Sequence, residues 1–228
     1  MTAWTLIAEA IWGRMWHAVP SELTMLVGSL IERSRANGPG QRVVVWLQGC
    51  DRGCPGCCNP EFQPFESSSA ELMTPSDLAE RVASVMASGD VRGLTLSGGE
   101  PLHPKHREDL VKFLCELGWR CSTLGVPLDV MAFTGYTREK LCEIDFLDVL
   151  PLVDLLIAGP YVEELDNPSG IVASTNQEIV RTTDRFDDVT DDELSGGERI
   201  VEVHISPGGS LRITGLQSVE EAKRLVGL

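Results

Sequence analysis

The chain has 228 residues, 43% of them hydrophobic, and a formal net charge of −15. That length fits one domain with an appendage, and the apolar fraction suffices for a real core. The acidic balance argues against a surface that tracks nucleic-acid phosphates, but it permits a protein partner with a basic docking face. No apolar run approaches the roughly eighteen residues of a membrane span, and the N-terminus lacks the basic region and small-residue cleavage site of a signal peptide. Seven cysteines are present, four of them between Cys50 and Cys58. Such crowding suits a metal site better than a disulfide framework and points to a reducing, cytoplasmic setting.

In chain order, residues 1–34 read as an N-terminal extension. Ile7, Ile11, Trp12, Met15 and Trp16 fall at helical spacing, which predicts a short amphipathic helix packed on the body. Three of the five tryptophans lie here, so a partner-binding face is the alternative. Translation beginning at Met25 would instead leave Leu26 to Glu32 as a first strand. Asn37-Gly38-Pro39-Gly40 is a turn by composition, read either as a plain loop or as one wall of the site that follows. The apolar run Val43 to Leu47 predicts a buried strand, which ends at Gln48-Gly49.

Residues 61–74 read as a loop. Thr74-Pro75-Ser76-Asp77 opens a helix that ends at Gly89, with Leu78, Val82, Val85 and Met86 as its stripe. Val91 to Ser97 is the second strand, followed by Gly98-Gly99-Glu100-Pro101. A helix spans about Lys105 to Leu117, then a strand Pro127 to Phe133, and Thr137 starts another helix. Val153 to Ala158 is a fourth strand of the same kind. Singular residues thus sit where strands end, as in parallel α/β folds. Glu178 to Arg181 is strand-like, and the acidic stretch Asp184 to Glu193 reads as a solvated loop. Ile200 to Ile205 and Ser210 to Ile213 flank Pro207-Gly208-Gly209 as a hairpin, and Val219 to Val226 closes the chain as a helix.

The chemistry concentrates in Cys50-x3-Cys54-x2-Cys57. Three thiolates this close suit an iron–sulfur cluster with one iron left open. The plainer alternative is a structural zinc site with Cys58 or His103 as fourth ligand. Zinc wants four converging ligands, and Cys58 adjoins Cys57 too closely for both to chelate well. Leu194-Ser195-Gly196-Gly197-Glu198 nearly copies the segment at Ser97, but it follows an acidic loop and reads as a turn. It also resembles a transport-ATPase signature, yet no Gly-Lys-Ser/Thr phosphate loop accompanies it. Cys115, Cys121 and Cys142 lack chelating spacing and read as buried structural thiols. His103 and His106 read as surface or capping residues.

The cysteine loop at the end of a first strand resembles that of radical S-adenosylmethionine (SAM) enzymes, and Ser97-Gly98-Gly99-Glu100 resembles their SAM-binding glycine motif. Asn37 to Gly40, Gln48-Gly49-Cys50, Cys54-Pro55-Gly56-Cys57, Asn59-Pro60, Thr134-Gly135-Tyr136, Ala158-Gly159-Pro160-Tyr161 and Ser174-Thr175-Asn176-Gln177 resemble, in order, the activases of glycyl-radical enzymes. Those of the anaerobic ribonucleotide reductase are the nearest in pattern. The resemblance covers roughly residues 35–182. It implies an incomplete parallel (β/α) barrel and a [4Fe-4S] cluster on Cys50, Cys54 and Cys57. It places SAM contacts at Gly56, Cys57, Cys58, Gly98, Gly99, Glu100 and Thr134. It also implies an oxidoreductase that cleaves SAM reductively to methionine and a 5′-deoxyadenosyl radical, which removes a hydrogen atom from its target. No further catalytic side chain is implied. The implied partners are a glycyl-radical enzyme such as anaerobic ribonucleotide reductase and a flavodoxin- or ferredoxin-like electron donor, with no nucleic acid and no membrane. The alternatives are an enzyme of the same architecture acting on a peptide or small metabolite, and a non-catalytic metal-cluster protein. Cys58 departs from the aromatic or histidine usual in these activases, and Ala158 from an acidic residue. Residues 183–228 read as an acidic loop, β-hairpin and C-terminal helix packed on the core.

Overall fold

The computed structural model describes residues 24–144, 146–205, 208, 209, 211–215, 224 and 227. The readings of an amphipathic helix before Met25 and of a closing helix from Val219 to Val226 lie outside the described residues, apart from isolated positions.

A seven-stranded sheet forms the centre. Its strands are β1 (Met25–Ser34), β2 (Arg42–Leu47), β3 (Glu71–Met73), β4 (Gly93–Gly98), β5 (Asp129–Thr134), β6 (Leu155–Ala158) and β7 (Glu178–Arg181). They lie in the order β3-β1-β2-β4-β5-β6-β7. β2, β4, β5 and β6 run parallel. β1 and β3 on one flank and β7 on the other are antiparallel. The fold is thus mixed α/β with a mostly parallel central sheet. β1 contains the Leu26 to Glu32 run read as a possible first strand. The loop expected over 61–74 instead contains a 3₁₀ turn, Pro60–Phe62, and the edge strand β3.

The parallel strands are buried on both faces, which explains the continuous apolar runs of β2 (Val43 to Leu47) and β6, whereas β4 buries Thr95 and Ser97 beside its leucines. Along β2, side chains alternate between two clusters. Val43, Val45 and Leu47 join the larger one, with Leu78, Val82, Phe113 and Leu114 from the helices. Val44 and Trp46 pack on the other face with Ile31. Helix α1 (Pro75–Ala87) begins as its sequence predicts, with the Thr74 hydroxyl accepting from Asp77 N at 3.1 Å; such a cap contributes about 1 kcal/mol.

Helix α2 (Arg107–Leu124) runs well past the expected Leu117 and ends at the left-handed Gly125. Gly118 inside it costs about 1 kcal/mol in propensity, and burial of Leu117 and Cys121 on either side outweighs that. Cys115 is therefore mid-helix and Cys121 in the last turn, both buried, whereas Cys142, on the short helix α3 (Arg138–Glu143), is exposed, contrary to expectation.

The stretch Asp184 to Glu193 is not simply solvated. Phe186 is fully buried with Met131, Leu155 and Leu194. Thr190 and Glu193 form a reciprocal capping box that starts helix α4 (Asp191–Gly196). The Leu194-Ser195-Gly196 segment therefore ends a helix rather than forming a free turn. Asp188 takes both terminal nitrogens of Arg92. A run of acids hides these features in composition, but Thr-x-x-Glu beside one aromatic is a readable signal. The hairpin strands β8 (Glu202–Ile205) and β9 (Leu211–Thr214) pair as expected.

Candidate iron–sulfur and cofactor site

A cavity of about 330 Å³ opens beyond the carboxyl ends of β2, β4, β5 and β6. Chain direction explains its position: four parallel strands deliver their following loops to the same end of the sheet. The first wall is the cysteine loop, held by backbone bonds from Gly49 N to Phe62 O (2.8 Å) and Cys50 N to Gln63 O (2.7 Å). The Gln48 side chain donates to the carbonyls of Glu61 and Pro64. Left-handed Gly53 and Gly56 let the loop wind tightly between its cysteines.

The second wall is Ser97 to Pro101. Gly99 N donates to Leu47 O, and Glu100 N to Gly49 O, both at 2.9 Å. A side chain at Gly98 would lie 2.2 Å from the Leu47 carbonyl, and one at Gly99 2.5 Å from that of Gly49. The glycines thus serve the approach of two loops as well as any ligand.

Glu100 is buried and ties this wall to the third. Its carboxylate accepts from Thr134 Oγ1 (2.8 Å), Gly135 N (2.7 Å) and Leu102 N (3.0 Å). Burial nevertheless pushes it up to about 7, the three donors and Arg52 opposing. A carboxyl so placed can hold a turn and exchange a proton near neutrality. The fourth wall follows β6. Gln177 accepts from Ala173 N and Ser174 N and donates to Gly159 O, while Asn176 donates to Pro160 O. The Ser174-Thr175-Asn176-Gln177 segment thereby clamps the Gly159-Pro160 turn against the cavity.

All the expected site residues, namely Cys50, Cys54, Gly56, Cys57, Cys58, Gly98, Gly99, Glu100 and Thr134, line this one cavity. The four cysteines in the loop are free and partly exposed. Burial pushes the Cys58 thiol up to about 12, with the Cys57 charge adding to the effect. Among the described residues, no three His, Cys, Asp or Glu side chains gather as ligands of a single ion do. A cubane asks for something else: thiols spread around a space that the cluster itself fills. His103 does not line the cavity. It caps the 3₁₀ turn Pro104–His106 by accepting from Lys105 N and faces Asp51 at 3.3 Å. The donor set thus fits a three-thiolate cluster better than zinc.

Asn37 to Gly40 is at the opposite end of the sheet, against the reading of it as a wall. It precedes β2, and the cysteines follow that strand, so the strand's full length separates them. Asn37 instead donates to Ser34 Oγ and to Thr214 Oγ1 on the hairpin. Among the lining residues that escaped the sequence reading are Arg52, Gln177 in its clamping role, and Arg199. Arg52 sits inside the cysteine motif, where a cation is a readable signal; Arg199 carries none.

A strand, a cysteine loop and a glycine turn closing on one cavity define a single-cluster iron–sulfur protein, and the chain belongs to the 4Fe-4S single cluster domain family, whose profile matches residues 36–180. Its relatives narrow the class. The anaerobic ribonucleoside-triphosphate reductase-activating protein of Enterobacteria phage T4 is 33% identical over 148 residues, which cover 65% of this chain and 88% of the relative. The proteins of that name from Escherichia coli K12 and Haemophilus influenzae are 30% and 31% identical, with 90% and 89% of their lengths covered.

Proposed function

We infer that the chain is an oxidoreductase that activates an anaerobic ribonucleotide reductase by generating a glycyl radical with a [4Fe-4S] cluster and SAM. One observation carries this: the cysteine loop and the glycine-rich turn, far apart in sequence, share one cavity at the strand ends. The four parallel strands support the finer reading of an incomplete radical-SAM barrel. Its core would span residues 35–182 together with β1, which pairs with β2 in the central sheet, and helix α4 and the β8–β9 hairpin would pack on it.

In this reading Cys50, Cys54 and Cys57 hold the cluster, and Gly56, Cys57, Cys58, Gly98, Gly99, Glu100 and Thr134 hold SAM. The cluster, when bound, supplies the electron that cleaves SAM. The protein's part is placement and exclusion of water. Glu100 locks the Thr134-Gly135 turn against the glycine turn, so two walls move as one. Gln177 does the same for the turn at Gly159. No side-chain nucleophile is needed. A flavodoxin- or ferredoxin-like donor and a cytoplasmic setting complete the proposal. Among the described residues no helix is long and apolar enough to cross a membrane.

The test is SAM cleavage by anaerobically reconstituted protein with dithionite, followed by a search for a glycyl radical in a candidate reductase. Formation of 5′-deoxyadenosine that disappears in Cys54→Ala is the expected result. Zinc in place of iron in protein purified without oxygen would overturn the reading.

A further inference from the structure

Two guanidinium groups line the cavity, those of Arg52 and Arg199. Arg52 lies over the Tyr136 ring at 4.8 Å, and its charge acts on the Glu100 carboxyl. An acid within the site thus offsets its charge, although the Arg52 Nε, like that of Arg199, is buried with no hydrogen-bond partner among the described residues. Arg199 has a different origin. It follows α4, beyond the residues 36–180 matched by the family profile.

Packing brings it to the cavity. Gly170 N donates to Gly197 O (2.6 Å), Ile171 N to Leu194 O (2.7 Å) and Asn167 Nδ2 to Ser195 O (2.7 Å). Leu194 is buried beneath these bonds. The Arg199 side chain donates one hydrogen bond, from Nη2 to the Asn167 carbonyl. Its Nε is buried with no hydrogen-bond partner among the described residues, and none of the described ion pairs involves it. Cys58 lines the same cavity and feels the Arg199 charge.

An arginine stays charged and presents a planar fork of donors. A buried N–H without an acceptor costs free energy until an acceptor arrives. The matching acceptor for such a fork is a planar oxyanion, which can bond Nε and Nη together. In a chain of net charge −15, a carboxylate entering this cavity needs a local cation to offset the surrounding field.

We propose that Arg199 is an anion subsite of this cavity, receiving a carboxylate on its Nε edge and so positioning the occupant beside Cys58. The inference rests on the reading of the cavity as a SAM site. Two sources supply the same chemistry: the methionine carboxylate of SAM, or an acidic side chain of the reductase segment that enters.

The test compares wild-type, Arg199→Gln and Arg199→Lys proteins, each carrying its cluster and checked for equal cluster absorbance. Equilibrium binding is measured for SAM, for decarboxylated SAM and for the reductase. Arg199→Gln should weaken SAM by about tenfold or more, leave decarboxylated SAM unchanged and be partly rescued by lysine. Unchanged binding of both small ligands, with reductase binding weakened in Arg199→Gln and restored in Arg199→Lys, assigns the carboxylate to the reductase and still supports the subsite. Equal weakening of SAM and its decarboxylated form, or no change in any of the three, overturns it and leaves Arg199 as a brace for the Asn167 loop. Wild-type protein that binds no SAM would overturn the reading of the cavity itself, a result distinct from a silent variant.

Discussion

Asp129→Ala tests the ion network at the end of the sheet away from the cavity. Arg42 is fully buried. Its guanidinium donates to Thr95 Oγ1 (2.7 Å), Leu94 O (2.7 Å) and Asp129 Oδ1 (2.6 Å). Burial already holds Arg42 below its ordinary value, and Asp129 is the main influence opposing that. Without the carboxylate, a buried cation keeps only neutral acceptors, which costs about 3–5 kcal/mol. The second loss, Arg92 Nε to Asp129 Oδ2 at 2.7 Å, adds less. Arg92 is part-exposed and keeps Asp188, and such pairs contribute about 0–1 kcal/mol. Against a total stability of about 5–15 kcal/mol, the variant should lose about a fifth or more. Urea unfolding followed by circular dichroism measures it. SAM binding per folded molecule should not change, because Arg42 and Asp129 open their strands and the cavity lies past the other ends. A loss under about 1 kcal/mol would refute the argument that Asp129 neutralises a stranded charge.

Two further outcomes follow from the site. Glu100 carries a folded value of about 7 against an ordinary 4.5, so the folded chain binds this proton more tightly than the unfolded one. Its contribution is present below 4.5 and is lost as pH rises to about 7, amounting to about 3 kcal/mol. Glu100→Gln removes that slope. The stability of the variant relative to wild type should therefore rise by up to about 3 kcal/mol between about pH 4 and pH 8, and a difference that does not vary with pH would reject the assignment. Gly98→Ala should cost about 3 kcal/mol or more, because a Cβ there meets Leu47 O at 2.2 Å and Gly98 has φ of 122°; near-wild-type thermal stability would show that the two loops can part.

Much of this protein was legible in its sequence. The apolar runs within β2 and β6 are strands because burial on both faces demands continuous hydrophobicity. The Thr74 cap and the Thr137 start rest on local hydrogen bonds that neighbouring residues complete. The cysteine spacing states its donor chemistry within eight residues. Each of these depends on residues close in the chain, so a linear reading reaches it. Chain direction alone also puts the candidate site at the carboxyl ends of the strands.

The tertiary structure decided what depends on distant partners. It moved Asn37 to Gly40 away from the site, since a turn's composition does not say which end of the sheet it meets. It carried α2 through Gly118, where burial outweighs propensity. It turned an acidic stretch into a packed one through Phe186, whose ring lies 5.4 Å from the Arg42 guanidinium and 4.9 Å from that of Arg92. It also brought Arg199 to the cavity through bonds between segments that share no sequence pattern. Sequence by itself determined the parallel strands, the helix starts and the ligand chemistry, because these are local. Which walls close the cavity was fixed only when non-local hydrogen bonds and buried surface selected one arrangement of those elements.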